Sequence, residues 1–304
     1  MDDSAFVAAY KRPVTSLLAL SAIGVSVYIW TGGDLEHFTL DFRAFNGQPW
    51  RFVSPVLPHA DLIHLAFNVY WLFRFGSKVE DVLGSRATFS IYVLLAFGSS
   101  LAEYALMDGG IGLSGIGYGL FGLLWVLTYR DPRFAGVVNQ GVVVLFVVWF
   151  FLCIATTMAG VWQIGNVAHG AGAILGVMLG FAITGRTALA RRVWASALTL
   201  IVIGTFAAAL VARPWINFGQ GLAHEMAYLG YEALLDDDNE KAICYFEQAV
   251  ASRPKEAGWW FNLGIAYHRM KRMKDAEAAY GAAAKLDPGN AVFQDQVEAF
   301  NNAE

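Results

Sequence analysis

Ala168-His-Gly-Ala-Gly-Ala-Ile-Leu-Gly-Val-Met-Leu-Gly180 places one histidine ahead of glycines at 172, 176 and 180. Glycines four apart share one face of an α-helix. A face without side chains lets a second helix come close, the way small residues pair helices inside membranes. The matching surface lies upstream. Gly109-Gly-Ile-Gly-Leu-Ser-Gly-Ile-Gly-Tyr-Gly-Leu-Phe-Gly122 offers Gly115 and Gly119 at the same spacing, with Ser114 beside them. Two glycine-faced helices, one carrying a serine and the other a histidine, are the frame from which the rest of the chain is read.

Composition says where such helices sit. The chain is 57% hydrophobic and 15% charged, with a mean hydropathy of +0.46, too apolar for one soluble core to hide. A bilayer crossing takes roughly 20 apolar residues. Seven runs qualify: Pro13–Gly33, His59–Ser77, Ala87–Ala102, Gly109–Tyr129, Phe134–Ala168, Gly170–Gly185 and Val193–Ala212. The second holds Asp61, His64 and Arg74, and polar groups inside a span point to a functional cavity. The expected fold is therefore all-α and polytopic: a tail over 1–12, a six-span core over 13–185 and a seventh helix over 186–213. The first run lacks a small-residue cleavage site and reads as a retained helix.

Lys11 and Arg12, Lys78 and Arg86, Arg130 and Arg133, then Arg186, Arg191 and Arg192 fall in alternate connections. By the positive-inside rule these face the cytoplasm. Seven crossings then put the C-terminal segment outside a plasma or inner cell membrane, in the periplasm or extracellular space. Six crossings, with the last run a soluble helix, would instead leave it in the cytoplasm. The net charge of -4 and the lack of a basic cluster argue against nucleic acid as a partner. Cys153 and Cys244 make no disulfide framework.

From about Ile216 the sequence turns to charged amphipathic helices with a 34-residue repeat. Trp260, Leu263, Gly264, Tyr267, Ala276, Tyr280, Ala283 and Pro288 follow Met226, Leu229, Gly230, Ala233, Ala242, Phe246, Ala249 and Pro254 at that interval. The spacing resembles the tetratricopeptide repeat. Copies over about 223–256 and 257–290 and a capping helix over 291–304 make a small α-α domain spanning 216–304. Such surfaces bind proteins or peptides, and two copies are fewer than usually stand alone.

Three polar clusters in the spans carry the chemistry. His64 and Asn68, four apart, present two donors from one helical face. Ser114, flanked by Gly112 and Gly115, begins a helix whose free N–H groups and positive dipole end lie beside its hydroxyl. His169 precedes Gly172 on the glycine stripe. Serine needs a base to take its proton, and helix packing would supply His169. Tyr118, one turn from Ser114, can support the imidazole. No spacing brings Asp61, Asp108 or Glu103 to a third position, so the reading is a dyad. His64, Asn68 and the N–H of Ser114 would hold a developing oxyanion. His59 orders the first loop or a water, Glu80 bonds backbone near a helix end, and Arg51 snorkels to the interface. His59 and His64, five apart, lack the HExxH spacing, and no metal or cofactor is called for.

These residues together resemble the rhomboid family of intramembrane serine proteases. The likeness runs from about Pro13 to Gly185 and rests on His64 and Asn68, on Gly112, Ser114 and Gly115, on Tyr118 and Gly122, and on Ala168 to Gly180. Trp50-Arg51, His59 and Gly76, Glu80 and Gly84 add to it. The resemblance implies a six-helix core that cuts transmembrane segments of substrates near their outer ends, with Trp50 and Arg51 shaping the first loop. It implies nothing about the C-terminal repeats. Two other readings stay open: a catalytically silent relative that escorts membrane helices, and a repeat scaffold merely anchored by its spans.

Overall fold

A computed structural model describes residues 11–219 and 221–301. Residues 1–10 of the expected tail and 302–304 of the expected capping helix lie outside them. Helices are the only regular structure among the described residues. Contacts divide the chain into two units, Met1–Phe218 and Gly219–Glu304.

The first unit holds α1 (Pro13–Trp30), α2 (Leu62–Trp71), α3 (Ser77–Leu83), α4 (Ser85–Leu106), α5 (Ser114–Arg130), α6 (Gln140–Met158), α7 (Asn166–Thr184), α8 (Ala188–Ala207) and α9 (Arg213–Ile216). Proline opens α1, where an unbonded N–H would be orphaned anyway. The other orphans of that end go to Glu80, whose carboxylate accepts from the N–H groups of Val14 at 3.0 Å and Thr15 at 2.9 Å and from the hydroxyls of Thr15 and Ser85. Asp61, Asn139 and Thr187 cap α2, α6 and α8 in the same manner.

Among the described residues five helices are long and apolar enough to cross a membrane: α1, α4, α6, α7 and the stretch Ala188–Ile216. The other two expected spans take different forms. The second is broken, α2 passing through a π turn at Leu72–Gly76 into α3. The fourth, α5, has 17 residues, most of them buried, with Leu120, Leu123, Leu124 and Leu127 fully enclosed while Trp125 and Tyr129 face outward. The fifth, expected over Phe134–Ala168, is shorter: the Asn139 cap starts it, and Gly160, at φ +69°, lies in the turn beyond its end. The sixth consequently begins at Asn166 instead of Gly170, and His169 belongs to its first turn. Along α6 the apolar Val148 and Phe151 face outward at 60% and 63% exposure, a surface suited to lipid and not to water.

At the centre α5 lies against α7 with almost no side chains between them. A Cβ added at Gly172 would overlap the Gly115 carbonyl, one at Gly176 the Gly119 carbonyl, and one at Gly122 the Ala173 carbonyl. The glycine faces of the two helices are thus in backbone contact.

Arg51 departs from expectation. It is 2% exposed rather than snorkelling, because the first loop closes its carbonyls around it: its guanidinium donates to Glu36 O, Thr39 O and Gln48 Oε1 and pairs with Asp41. Trp50 beside it is half exposed. Beyond α8 the chain passes a π turn, and buried Arg213 donates to Tyr104 O at 2.9 Å, its guanidinium 3.7 Å from the Tyr104 ring centroid.

The second unit comprises α10 (Gly221–Leu235), α11 (Asn239–Ser252), α12 (Ala257–Arg269), α13 (Met273–Leu286) and α14 (Ala291–Asn301). Gly230 abuts the ring of Phe246, and Gly264 abuts that of Tyr280, the same contact in each copy. Ala242, Ala249, Ala276 and Ala283 are fully buried between the paired helices. Phe300 of α14 closes the stack on Tyr280 and His268, at ring distances of 5.8 and 5.4 Å.

Candidate active site

The loop before α5 is held from two sides. Gly112 N donates to Pro55 O at 2.9 Å, and Leu113 N donates to His59 Nε2 at 3.2 Å. Since Nε2 accepts, the proton of this buried imidazole sits on Nδ1, 3.0 Å from Leu57 O. His59 thus clamps the first loop to the turn that precedes Ser114. Gly112 has φ +109°, and a Cβ there would lie 2.9 Å from His64 Cε1, so the turn needs glycine both for backbone conformation and for room.

Ser114 is the first residue of α5 and is half-buried. The N–H groups of that first turn have no acceptor within the helix. One turn on, the Tyr118 ring stacks on His169 with centroids 4.6 Å apart and planes at 22°. Its hydroxyl donates to Phe146 O at 3.1 Å, which fixes the ring. Gly115 faces the carbonyl of Ala168, and Gly172 faces Gly115, so the first turns of α5 and α7 oppose each other with Ser114 on one and His169 on the other. His169 is 4% exposed. Its Nδ1 is buried without a hydrogen-bond partner, and no hydrogen bond joins it to Ser114 among the described residues. Catalytic contacts are commonly long in substrate-free enzymes and tighten on binding.

His64 reaches this turn, its ring lying 4.9 Å from that of His59 and against Gly112. Asn68 is buried on α2, and its amide donates to His64 O at 2.9 Å. That bond takes one of its two N–H groups. The structure therefore brings His64, Gly112, Ser114, Gly115, Tyr118, His169 and Gly172 together. Asn68 it holds through the His64 backbone, and Trp50 and Arg51 remain in the first loop.

Glu103 belongs here as well, against the reading of its spacing. It is 3% exposed on α4, and its Oε2 accepts from Ala168 N at 2.7 Å, in the first turn of α7 and next to His169. With Ser99, Gly112, Ser114, Gly115 and Gly165 it lines a cavity of about 20 Å³, room for one water. Helical spacing relates residues on one helix, whereas Glu103 arrives from another. The legible signal was a carboxylate in an otherwise apolar span.

The apolar helices define a multi-pass membrane protein, in which residues 46–186 match the family model of the Rhomboid domain and residues 257–290 that of the tetratricopeptide repeat. Among curated proteins the chain is similar to the rhomboid protease GlpG of Serratia proteamaculans (strain 568), 35% identical over 172 residues, which are 54% of this chain and 61% of that protein. It is also similar to a GlpG homolog of Cronobacter sakazakii (strain ATCC BAA-894), 28% identical over 56% of this chain and 58% of the relative. The GlpG of Salmonella paratyphi A (strain ATCC 9150 / SARB42) is 29% identical over 55% and 59%. The chain thus spans about three fifths of the length of these relatives.

Proposed function

We propose that this protein is a serine endopeptidase that hydrolyses peptide bonds in or next to transmembrane segments of membrane-protein substrates. The observation that carries the reading is the stack of Tyr118 on His169 with Ser114 one turn away on α5, at a seam where backbone touches backbone. In this mechanism His169 takes the proton as the Ser114 Oγ attacks the substrate carbonyl, and returns it to the leaving amine. Water then hydrolyses the acyl-enzyme with His169 again as base. The oxyanion is held by the Ser114 N–H with His64 and Asn68, where losing one donor costs about 10² to 10³ in rate. Packing against Tyr118 orients the imidazole in place of a third acidic group.

The lysines and arginines of alternate connections support a cytoplasmic N-terminus and an outward-facing C-terminal unit, whose repeats bind a protein or peptide partner. The test is cleavage of a single-span substrate by purified protein in proteoliposomes. Ser114→Ala and His169→Ala should each abolish the product; cleavage at the wild-type rate by Ser114→Ala would overturn the assignment.

A further inference from the structure

Away from that site, the outer face of the second span, where α2 runs through the π turn into α3, lines a shallow open cleft. The π turn at Leu72–Gly76 shifts the helical register. Leu72, Phe75 and Gly76 stay in the core while Phe73 and Arg74 turn outward. Tyr70, Arg74, Lys78 and Asp81, three or four apart, then form one stripe. Arg12, just before α1, crosses to this stripe and binds Asp81 with two hydrogen bonds of 2.8 Å. The cleft between them has a volume of about 580 Å³.

Its charges are not balanced. Arg12, Arg74 and Lys78 face one carboxylate, and both oxygens of that carboxylate are taken by Arg12. Arg74 and Lys78 have no ion pair or hydrogen bond among the described residues. Arg74 lies three residues before Ser77, the end of the second expected span, and Lys78 lies one residue beyond it. Unpaired cations beside an exposed apolar wall at such a boundary are stabilised by an anion brought to them. Tyr70 and Phe73, 59% and 39% exposed, extend the wall on the apolar side. Cations at one end and aromatic rings at the other match a lipid: a phosphate above, glycerol and acyl chains below.

We propose that Arg74, Lys78 and Arg12 hold the headgroup phosphate of an anionic phospholipid, in the leaflet on the side of residue 12. The site is independent of the proteolytic reading, since it needs no catalysis.

Native mass spectrometry of the full chain in detergent tests it, with phosphatidylglycerol, phosphatidylcholine or inorganic phosphate added separately. One phosphatidylglycerol should be retained per chain, and Arg74→Gln with Lys78→Gln should weaken its retention roughly tenfold or more. Arg74→Lys, which keeps the charge, should retain it, as should the control Arg186→Gln with Arg192→Gln. Three results would each overturn the site: equal retention by the Arg74/Lys78 double variant, an equal loss in the control, or retention of phosphatidylcholine as strong as that of phosphatidylglycerol. Displacement of the lipid by millimolar inorganic phosphate would assign the cleft to free phosphate instead.

Discussion

A buried N–H left without an acceptor costs about 1–3 kcal/mol, which defines the role of Glu103. Its carboxylate receives the Ala168 N–H at the turn that carries His169, so in the proposed mechanism it is a positioning residue for that imidazole. Glu103→Leu should lower stability by about that amount and reduce kcat more than it raises KM. Glu103→Gln, whose amide oxygen still accepts, should restore most of both; equal loss in the two variants would contradict this role. In the second unit, burial and then a hydrogen bond to Glu247 push the Tyr267 phenol up to about 12, from an ordinary value of 10.0. A raised value in the folded state means that the unfolded chain loses its proton first. The contribution is therefore complete below pH 10 and disappears as pH rises towards 12. Alkaline unfolding followed by circular dichroism should show this loss in the wild type and a smaller one in Tyr267→Phe.

Pairs of helices set how well those residues meet. Between α5 and α7 an added methyl strikes main-chain atoms, which cannot rotate away as a side chain does. Gly176→Ala should therefore force the helices apart at a cost of about 1–3 kcal/mol, and should slow proteolysis by moving His169 from Ser114. Gly204→Ala on α8 meets nothing within 4 Å and should be neutral or slightly stabilising, because alanine favours helix over glycine. Thermal unfolding in detergent compares the two; equal shifts would show that the seam has no special tightness. The five-helix second unit repeats one device: a glycine beneath an aromatic ring, at Gly230 with Phe246 and at Gly264 with Tyr280.

Over the whole chain, the division at Phe218 and Gly219 separates a membrane unit with its own core from a helical-repeat unit with another. Removing residues 219–304 should leave cleavage of a model substrate within about twofold, while cleavage of native membrane substrates falls if the repeats recruit them. A truncated chain that no longer folds in detergent would show instead that the first unit leans on the second. Much of this organisation is written in local periodicity. Glycines four apart predicted a bare helix face, and the 34-residue interval predicted paired small-residue helices, because both depend only on the pitch of a helix and on residue size. The serine, histidine and tyrosine were legible for the same reason, each being polar within apolar surroundings. Where the fifth span stops was less so, since the Asn139 cap and the Gly160 turn are short signals inside a long apolar run. Arg51 and Glu103 could not be located from spacing at all. Arg51 is buried because carbonyls of its own loop, at Glu36 and Thr39, fold back around it, and Glu103 because the first turn of α7 packs against α4, and neither arrangement is written in helical spacing. Pitch and hydropathy are properties of neighbours along the chain, whereas the partner of a buried charge is chosen by the closing of the fold around it.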